Sequence, residues 1–490
     1  MEIKTLAVDF GASGGRVMLG IYDGSRIRIK EIHRFSNDPV ILNGTMYWDV
    51  LRLFHEIKQG IIKAKAYGNV HSIGVDTWGV DFGLLDKEGY LLENPVHYRD
   101  RRTAGILEKA FSLLPRERFY ELTGNQFMEI NTVFQLLALR EQRPELLERA
   151  DCLLLMPDLF NYFLSGVKKS ERSIASTTQM SNPHEPEWAW EVIETLGIPG
   201  HILKEIVPTG TVLGGISEEI KGELGMGDMD VIAVAGHDTQ CALAAVPTEE
   251  EDFIFISCGT WSLFGTELKG PVISKQSEEL NVTNETGTEG RTSFLKNIIG
   301  LWLIQESRRQ WIREGKEYSF SELENMAEEA EPFRCFINPD APEFVPAGNI
   351  PRRIREYCQR TGQEIPETAG EIVRCINESL ALKYRYTMEE IEACTGGKYT
   401  KVHMIGGGIQ SRLLCRFTAQ AAGRQVIAGP VEATVYGNIA IQLMAGNVIS
   451  GLREARSIVA ASEERKIYEP ENSEQWNKVY DYYVENIIKK

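Results

Sequence analysis

Near the start of the sequence, a carboxylate stands directly before a glycine-rich segment. Asp9 ends an apolar run and precedes the turn Gly11–Arg16. A glycine-rich turn can direct several backbone N–H groups toward one point, which makes an anion site suited to phosphate. A carboxylate beside such a site is repelled unless a cation lies between them, so Asp9 is a candidate ligand of Mg²⁺. In the alternative interpretation the glycines serve only a tight turn, which Asp9 caps.

A second polar group follows a strand-like run in the middle of the chain. Residues 231–235 are apolar and lead into Gly236-His-Asp-Thr. Transfer of a phosphoryl group to an alcohol requires a group that accepts the hydroxyl proton, and an aspartate does this in protein kinases. We therefore expect Asp238 to be a catalytic base and His237 to hydrogen-bond a hydroxyl of the acceptor. The alternative is that Asp238 caps the helix that we predict over residues 240–245.

The order strand, glycine turn, strand returns after residue 252. A constant offset aligns the two copies, with Asp9 on Ser257, Gly11 on Gly259 and Ala12 on Thr260. Such a repeat is typical of two copies of one domain, and we predict domains at residues 1–245 and 246–490. Two matched glycine turns can hold one triphosphate from both sides, which a single turn cannot do.

A third glycine segment occupies the next place in the repeated order. Gly406–Gly408 follows the strand-like run 401–405 and precedes a helix. Three consecutive glycines let a flat ligand lie against the backbone, which suits an adenine ring and its ribose. Such a run is unspecific by itself, and its position in the repeat supports the interpretation.

The elements that must position these residues belong to a large, acidic protein. A chain of 490 residues favours two large domains, and the formal net charge of −17 disfavours binding to nucleic acid or an anionic membrane. Neither a P-loop motif nor a Gly-x-Gly-x-x-Gly motif after a strand is present. The eight cysteines include no Cys-x-x-Cys pair, and no signal peptide or membrane helix is recognisable. We therefore expect a cytoplasmic protein with free thiols.

Taken together, these segments resemble the FGGY carbohydrate kinases of the actin/hexokinase/Hsp70 superfamily, over essentially the whole chain. The resemblance is carried by Asp9–Arg16, Ile73–Phe82, Tyr98–Arg102, Leu155–Phe160, Gly236–Thr239, Ser257–Ser262, Asn281–Arg291, Leu295–Gln305 and Ala428–Ala433. It implies an α/β fold with two actin-like (ribonuclease H-like) domains and a nucleotide- and sugar-binding cleft between them. Residues 1–245 would bind sugar and phosphate, and residues 246–490 would bind ATP.

Carried over by position, the resemblance also implies individual roles. The residues implied to contact ATP are Ala12, Ser13, Gly14, Gly15, Arg16, Thr260, Gln305 and, within the glycine run, Gly407. Those implied to contact the ketose are Gly79, His237, Asp238, Thr239 and Asn297. Asp238 would accept the proton, and Asp9 would hold Mg²⁺ through water. Ser411 stands where the family usually has Asn, which puts one hydrogen bond on the adenine side in question.

Within the family, the resemblance points to members that phosphorylate L-rhamnulose at its 1-hydroxyl in L-rhamnose catabolism. The alternatives are another ketose, such as L-fuculose or xylulose, an ATPase switch of the actin or Hsp70 type, and a non-catalytic sugar sensor. We expect ATP, ADP and a small ketose as partners, no nucleic acid or membrane, and a monomer or homodimer. Trp78 and Trp261 are candidates to contact the methyl group of a 6-deoxy sugar, or else core residues.

Overall fold

The computed structural model describes residues 2–11, 14–251, 253–471 and 473–489, which form an α/β protein. The strands are β1 Ile3–Gly11, β2 Gly14–Tyr22, β3 Ile27–Ser36, β4 Val40–Leu42, β5 Thr45–Tyr47, β6 Ser72–Thr77, β7 Phe82–Leu85, β8 Cys152–Leu155, β9 Ser170–Glu171, β10 Ile206–Val207, β11 Thr211–Gly215, β12 Asp230–Ala233, β13 Ile254–Cys258, β14 Trp261–Leu268, β15 Thr283–Thr286, β16 Thr292–Ile299, β17 Lys401–Ile405, β18 Gln425–Ala428 and β19 Lys466–Tyr468. The helices are α1 Val50–Ala64, α2 Ile106–Leu113, α3 Arg116–Thr123, α4 Thr132–Gln142, α5 Pro144–Arg149, α6 Met156–Ser165, α7 Arg172–Ala175, α8 Trp190–Thr195, α9 Glu218–Leu224, α10 Asp238–Ala244, α11 Lys275–Glu279, α12 Trp302–Arg313, α13 Phe320–Glu329, α14 Ile350–Arg360, α15 Ala369–Thr395, α16 Arg412–Ala422, α17 Ala433–Ala445, α18 Leu452–Ser462 and α19 Ser473–Tyr483.

The predicted repeat is present in the order of the strands. One sheet has the order β11-β12-β6-β1-β2-β3, and the other contains β19-β18-β17-β13-β14-β16 in that order. In each sheet a hairpin (β1–β2 or β13–β14) is antiparallel, and its first strand pairs in parallel with a later strand, β6 or β17. Parallel strands of this kind end at one edge of a sheet, where their polar ends come together.

The chain forms two compact units. The first comprises Met1–Glu249, Glu267–Phe294 and Ala433–Glu463, and the second comprises Glu250–Thr266, Leu295–Glu432 and Glu464–Lys490. The two later segments that pack with the first unit were not expected from the sequence. The boundary between the predicted domains 1–245 and 246–490 stays a prediction.

Apolar strands supply the core of the first unit. Leu6, Val8 and Phe10 of β1 are completely buried and pack with residues of α1 and β6. All six residues of β6 are buried, as expected for a strand that is covered on both faces. Across the described ranges, no helix is both long and apolar enough to cross a membrane.

Candidate active site

The pairing of β1 with β2 brings an aspartate and an arginine together. Asp9 and Arg16 are opposite each other in the β1–β2 hairpin, and Arg16 Nη2 donates a 2.6 Å hydrogen bond to Asp9 Oδ2. The predicted ATP contacts Ala12 and Ser13 lie outside the described residues. A Cβ atom on Gly15 would lie 2.4 Å from the Phe35 ring, so only glycine fits this position. Asp9 is buried, with 7% of its surface exposed, and the Arg16 side chain is partly buried.

A buried aspartate lies beside Asp9 on the neighbouring strand. Asp76 of β6 is paired in register with Asp9 and is completely buried. Burial, and then the negative charge of Asp9, raise the pKa of Asp76 well above its ordinary value. Asn438 Nδ2 donates to Asp76 Oδ2 at 2.6 Å, whereas Oδ1 has no hydrogen-bond partner among the described residues. We did not assign Asp76 a role from the sequence, although it stands in a motif that carried the family resemblance.

The predicted base Asp238 is the first residue of a helix. The N–H of Thr77, at the end of β6, donates to the Gly236 carbonyl at 2.9 Å, and α10 begins at Asp238. The N-cap of α10 is His237, whose side chain makes no capping hydrogen bond, so the alternative that Asp238 is the N-cap is wrong. Asp238 Oδ1 accepts the N–H of Thr239 at 2.6 Å, and the side chain is 32% exposed.

The charges around Asp238 adjust its affinity for a proton. Desolvation raises the pKa of Asp238 to about 6, the adjacent His237 opposes this rise, and Asp9 adds to it. Burial by itself would lower the pKa of His237, but the carboxylate of Glu285 raises it to about 9, with smaller contributions from Asp238 and Glu171. At neutral pH the site therefore places an imidazolium next to a carboxylate that is mostly ionised and basic for its type.

Glu171 holds the backbone that carries these residues. Its carboxylate accepts the N–H of Gly236 at 2.9 Å and also the N–H groups of Ser173 and Ile174. Ser173 Oγ in turn accepts the N–H of His237 at 3.3 Å. Glu171 is 1% exposed, and a buried carboxylate with this many donors fixes the backbone around it. Sequence reasoning missed Glu171, because a single Glu before a short helix carries no distinctive signal.

The loop after β6 carries the predicted sugar contact Gly79 and an unusual backbone conformation. Val80 has φ +69°, a region that β-branched residues rarely adopt. The N–H of Val80 donates to Thr177 Oγ1 at 3.1 Å, and its carbonyl accepts from Thr132 Oγ1 at 2.6 Å. A Cβ atom on Gly79 would lie 3.2 Å from Thr177. Strained backbone held by several hydrogen bonds is common at ligand sites.

Trp78 is a core residue, which was one of its two predicted roles. It is 6% exposed, its ring centroid lies 4.1 Å from that of Trp48, and its Nε1 donates to Asp81 at 3.0 Å. Trp48 Nε1 donates to the same carboxylate at 2.6 Å. The two indoles and Asp81 thus form a buried polar cluster beneath the Gly79 loop. Trp261 is only partly buried.

In the second unit, the matching hairpin places two predicted ATP contacts together. Thr260 follows β13, and its Oγ1 donates to Gln305 Oε1 of α12 at 3.3 Å. The side chain of Asn297, a predicted sugar contact on β16, is partly buried. Its neighbour Lys296 forms a 2.9 Å ion pair with Glu390 of α15.

The three glycines after β17 differ in backbone conformation and in the space available for a side chain. Gly406 has φ +86°, and a Cβ atom on Gly408 would lie 2.4 Å from Cys258 Sγ. A Cβ atom on Gly407 would meet no atom within 4 Å, so this position is open. Ser411 caps α16 by accepting the N–H of Leu414 at 3.3 Å. The residue that departs from the family pattern thus has a structural role of its own.

All eight cysteines lie within the described residues and are free thiols. Three that are far apart in the sequence, Cys335, Cys358 and Cys375, have Sγ atoms within 4.8 Å of one another. They are buried and belong to the second unit. Spacing along the chain gave no indication of this cluster.

Comparison with known proteins identifies both halves of the chain. Residues 4–245 match the family model described as the FGGY family of carbohydrate kinases, N-terminal domain. Residues 254–446 match the C-terminal domain of the same family. The family resemblance inferred from the motifs is therefore confirmed.

Curated relatives match over nearly their full length. The chain is 42% identical over 484 residues to a rhamnulokinase of Bacteroides thetaiotaomicron, covering 99% of both chains. It is 40% identical over 463 residues to a rhamnulokinase of Oceanobacillus iheyensis, covering 94% of this chain and 97% of the relative.

Solved structures of other sugar kinases share the fold. A ligand-bound xylulose kinase from Lactobacillus acidophilus has a TM-score of 0.79 at 16% identity, covering 98% of this chain and 97% of that one. A glycerol kinase from Plasmodium falciparum with ADP has a TM-score of 0.77 at 15% identity, covering 99% and 98%. At these identities the comparison shows the fold alone, and it confirms the predicted fold class.

Proposed function

This chain belongs to the FGGY family of carbohydrate kinases, and from that membership we propose that it transfers the γ-phosphoryl group of ATP to the 1-hydroxyl of L-rhamnulose. The substrate assignment rests on the sequence identity of about 40% to several rhamnulokinases over nearly the full length of each chain. The products are L-rhamnulose 1-phosphate and ADP. Consumption of ATP fits the cytoplasmic location that the sequence predicts.

Asp238 is the proposed base of this reaction. Its carboxylate is partly exposed at the start of α10, and its pKa of about 6 leaves it mostly ionised at neutral pH. As the bond between the sugar oxygen and the γ-phosphorus forms, Asp238 takes the hydroxyl proton, and the bond from that phosphorus to the β–γ bridging oxygen breaks. ADP leaves with the electrons of that bond.

We propose that the phosphate groups lie against the glycine turn after β1, with Arg16 as a charged donor. The carboxylates of Asp9 and Asp76 are adjacent, and a pair of carboxylates beside an anion site suits a hard cation with oxygen ligands. Burial and the charge of Asp9 raise the pKa of Asp76, so Asp9 is the better candidate to hold Mg²⁺. When bound, that ion would neutralise phosphate charge.

Polar and apolar contacts both contribute to the proposed recognition of the sugar. Gly79 and His237 belong to the first unit, where the N–H groups and side chains near Asp238 can hydrogen-bond hydroxyls. Leaving one such buried group unpaired costs about 1–3 kcal/mol, and one methyl-sized apolar contact contributes a similar free energy. We therefore expect hydroxyl arrangement and the 6-deoxy methyl group to contribute comparably to the choice of ketose.

A coupled assay of ADP release tests this proposal. L-rhamnulose, L-fuculose, L-xylulose, D-xylulose and glycerol are compared at equal concentration, with a control without sugar. We expect the highest kcat/KM with L-rhamnulose, lower values with L-fuculose and L-xylulose, and almost no reaction with glycerol. If D-xylulose or glycerol were the best acceptor, the substrate assignment would be wrong. ADP release that did not depend on sugar would support an ATPase switch instead.

A further inference from the structure

A buried glutamate lies behind the histidine of the proposed sugar site. Glu285 of β15 places Oε2 2.9 Å from Nδ1 of His237, and both residues are less than a tenth exposed. Gln240 of α10 donates from Nε2 to the same oxygen at 3.0 Å. The Gln240 amide is itself oriented, because Ser293 Oγ donates to its Oε1 at 2.8 Å. The carboxylate is thus held on one side of the imidazole by a fixed network.

This contact determines what the other ring nitrogen can do. Because Nδ1 faces a carboxylate, it carries a proton and donates to Glu285. The second nitrogen, Nε2, lies on the opposite side of the ring, 3.5 Å from Asp238 Oδ1. We propose that Glu285 is a positioning residue for phosphoryl transfer, which acts through His237 to keep a charged N–H donor beside the base. This inference rests on the proposed function, in which the acceptor hydroxyl lies next to Asp238.

The proposal assigns His237 two effects on the reaction. Its Nε2–H can donate to an oxygen of the sugar next to the hydroxyl that loses its proton, which fixes the orientation of the acceptor. Its positive charge also opposes the rise in the pKa of Asp238 that desolvation causes. Without that charge the base would be protonated over more of the neutral range.

Several charged groups face this pair from the surrounding elements. His237 is influenced by Glu285 of β15, Asp238 of α10 and Glu171 of β9. Asp238 is influenced by His237 and by Asp9 of β1, and Asp76 of β6 is close enough to interact with it. Among the three acids that raise the pKa of His237, Glu285 makes the largest contribution. Neutralising Glu285 alone should therefore remove most of the positive charge of His237 at neutral pH.

The test is Glu285→Gln, which keeps the shape and hydrogen-bonding capacity of the side chain. We expect kcat with L-rhamnulose to fall about tenfold, an effect typical of one hydrogen bond, while the KM for ATP stays unchanged. The acid limb of kcat/KM should move up by about one pH unit, since an opposite charge at this range changes a carboxylate pKa by about 1–3. His237→Gln should move the limb similarly, and adding Glu285→Gln to it should move it no further.

Glu278→Gln is the matched control. Like Glu285, Glu278 is largely buried and belongs to the Glu267–Phe294 segment of the first unit. It pairs with Arg116 at 3.1 Å, and its replacement should leave the acid limb in place. A role for Glu285 in folding alone would lower the yield or thermal stability of Glu285→Gln without moving the limb. An unmoved limb in well-folded Glu285→Gln protein would overturn the proposal.

A measurement on the unmodified protein separates this inference from the substrate assignment. With ¹⁵N-labelled histidine, one imidazole should remain doubly protonated up to about pH 9, and its signals should be absent in His237→Gln. A His237 ring that lost its proton near or below pH 6.5 would refute the charged donor, whether or not Glu285→Gln folds. Because this readout needs no sugar, it holds even if L-rhamnulose proves not to be the acceptor.

Discussion

Arg16 and Asp9 face each other across the β1–β2 hairpin, with a 2.6 Å hydrogen bond from Nη2 to Oδ2. The register of the hairpin therefore provides the carboxylate with a counter-charge before any ligand arrives. In the proposed reaction both partners have further tasks, since Arg16 is assigned to phosphate and Asp9 to Mg²⁺. The cationic partner also offsets the repulsion between Asp9 and its acidic neighbours Asp76 and Asp238.

Replacing Asp9 by Asn should weaken metal and nucleotide binding together. We expect Asp9→Asn to require a higher Mg²⁺ concentration for half-maximal rate, with a higher KM for ATP and a lower kcat. The amide cannot supply the negative charge that a hard cation prefers. A Mg²⁺ titration at fixed ATP measures the effect, with the exposed Asp228→Asn as a control. An Mg²⁺ dependence equal to that of the wild type would remove the metal role from Asp9.

Replacing Asp238 by Asn should separate chemistry from binding. The amide is nearly isosteric and can still accept the Thr239 N–H, so ATP binding measured by calorimetry should change little. Loss of a general base lowers rates by about 10²–10⁴-fold, and we expect kcat to fall within that range. If kcat stayed within about threefold of the wild type, Asp238 would have only a structural role in the first turn of α10.

The pKa of Asp238 predicts the acid side of the pH–rate profile. A base must be ionised to act, so kcat/KM should be level above the pKa of about 6 and fall about tenfold per pH unit below it. Desolvation favours the protonated carboxyl, so the acid limb should lie at a higher pH than for an ordinary aspartate. Profiles at saturating Mg²⁺ and ATP measure it. The residual activity of Asp238→Asn provides the control, because it should lack this limb.

Sequence patterns predict those elements of the site in which a glycine turn adjoins a strand with a regular apolar pattern. The β1–β2 hairpin and the strand leading to Gly236 are such elements, and short-range pattern is enough to locate them. The repeated order of strands also followed from the sequence, because the two glycine turns recur at a constant offset.

The missed residues depend on contacts between distant parts of the chain. Glu171, Glu285 and Asn438 act by meeting Gly236, His237 and Asp76, and none of these partners is near them in the sequence. Side-chain hydrogen bonds of this kind have no periodicity that a sequence pattern could reveal. The same limit explains why Ala433–Glu463, which follows most of the second unit, was not expected to pack with the first.

That later segment packs closely against α10, the helix that begins at Asp238. Gly437 of α17 approaches α10 so closely that a Cβ atom would lie 1.7 Å from the carbonyl oxygen of Cys241. Gly437→Ala must therefore separate the two helices, and overpacking of this kind costs about 1–3 kcal/mol or more. Since α10 begins at Asp238, we expect a lower melting temperature together with a kcat that falls more than the KM for ATP changes.

Gly446→Ala is the matched control for this contact. A Cβ atom on Gly446, just beyond the end of α17, would lie 3.5 Å from its nearest neighbour, the Gln442 carbonyl oxygen, which is an ordinary contact. Its effect on the free energy of unfolding should stay within about 0.5 kcal/mol, as for most substitutions away from special contacts. Thermal melting and steady-state kinetics of the two variants make the comparison. If Gly437→Ala matched Gly446→Ala in both, the close approach of α10 and α17 would not be what fixes Asp238.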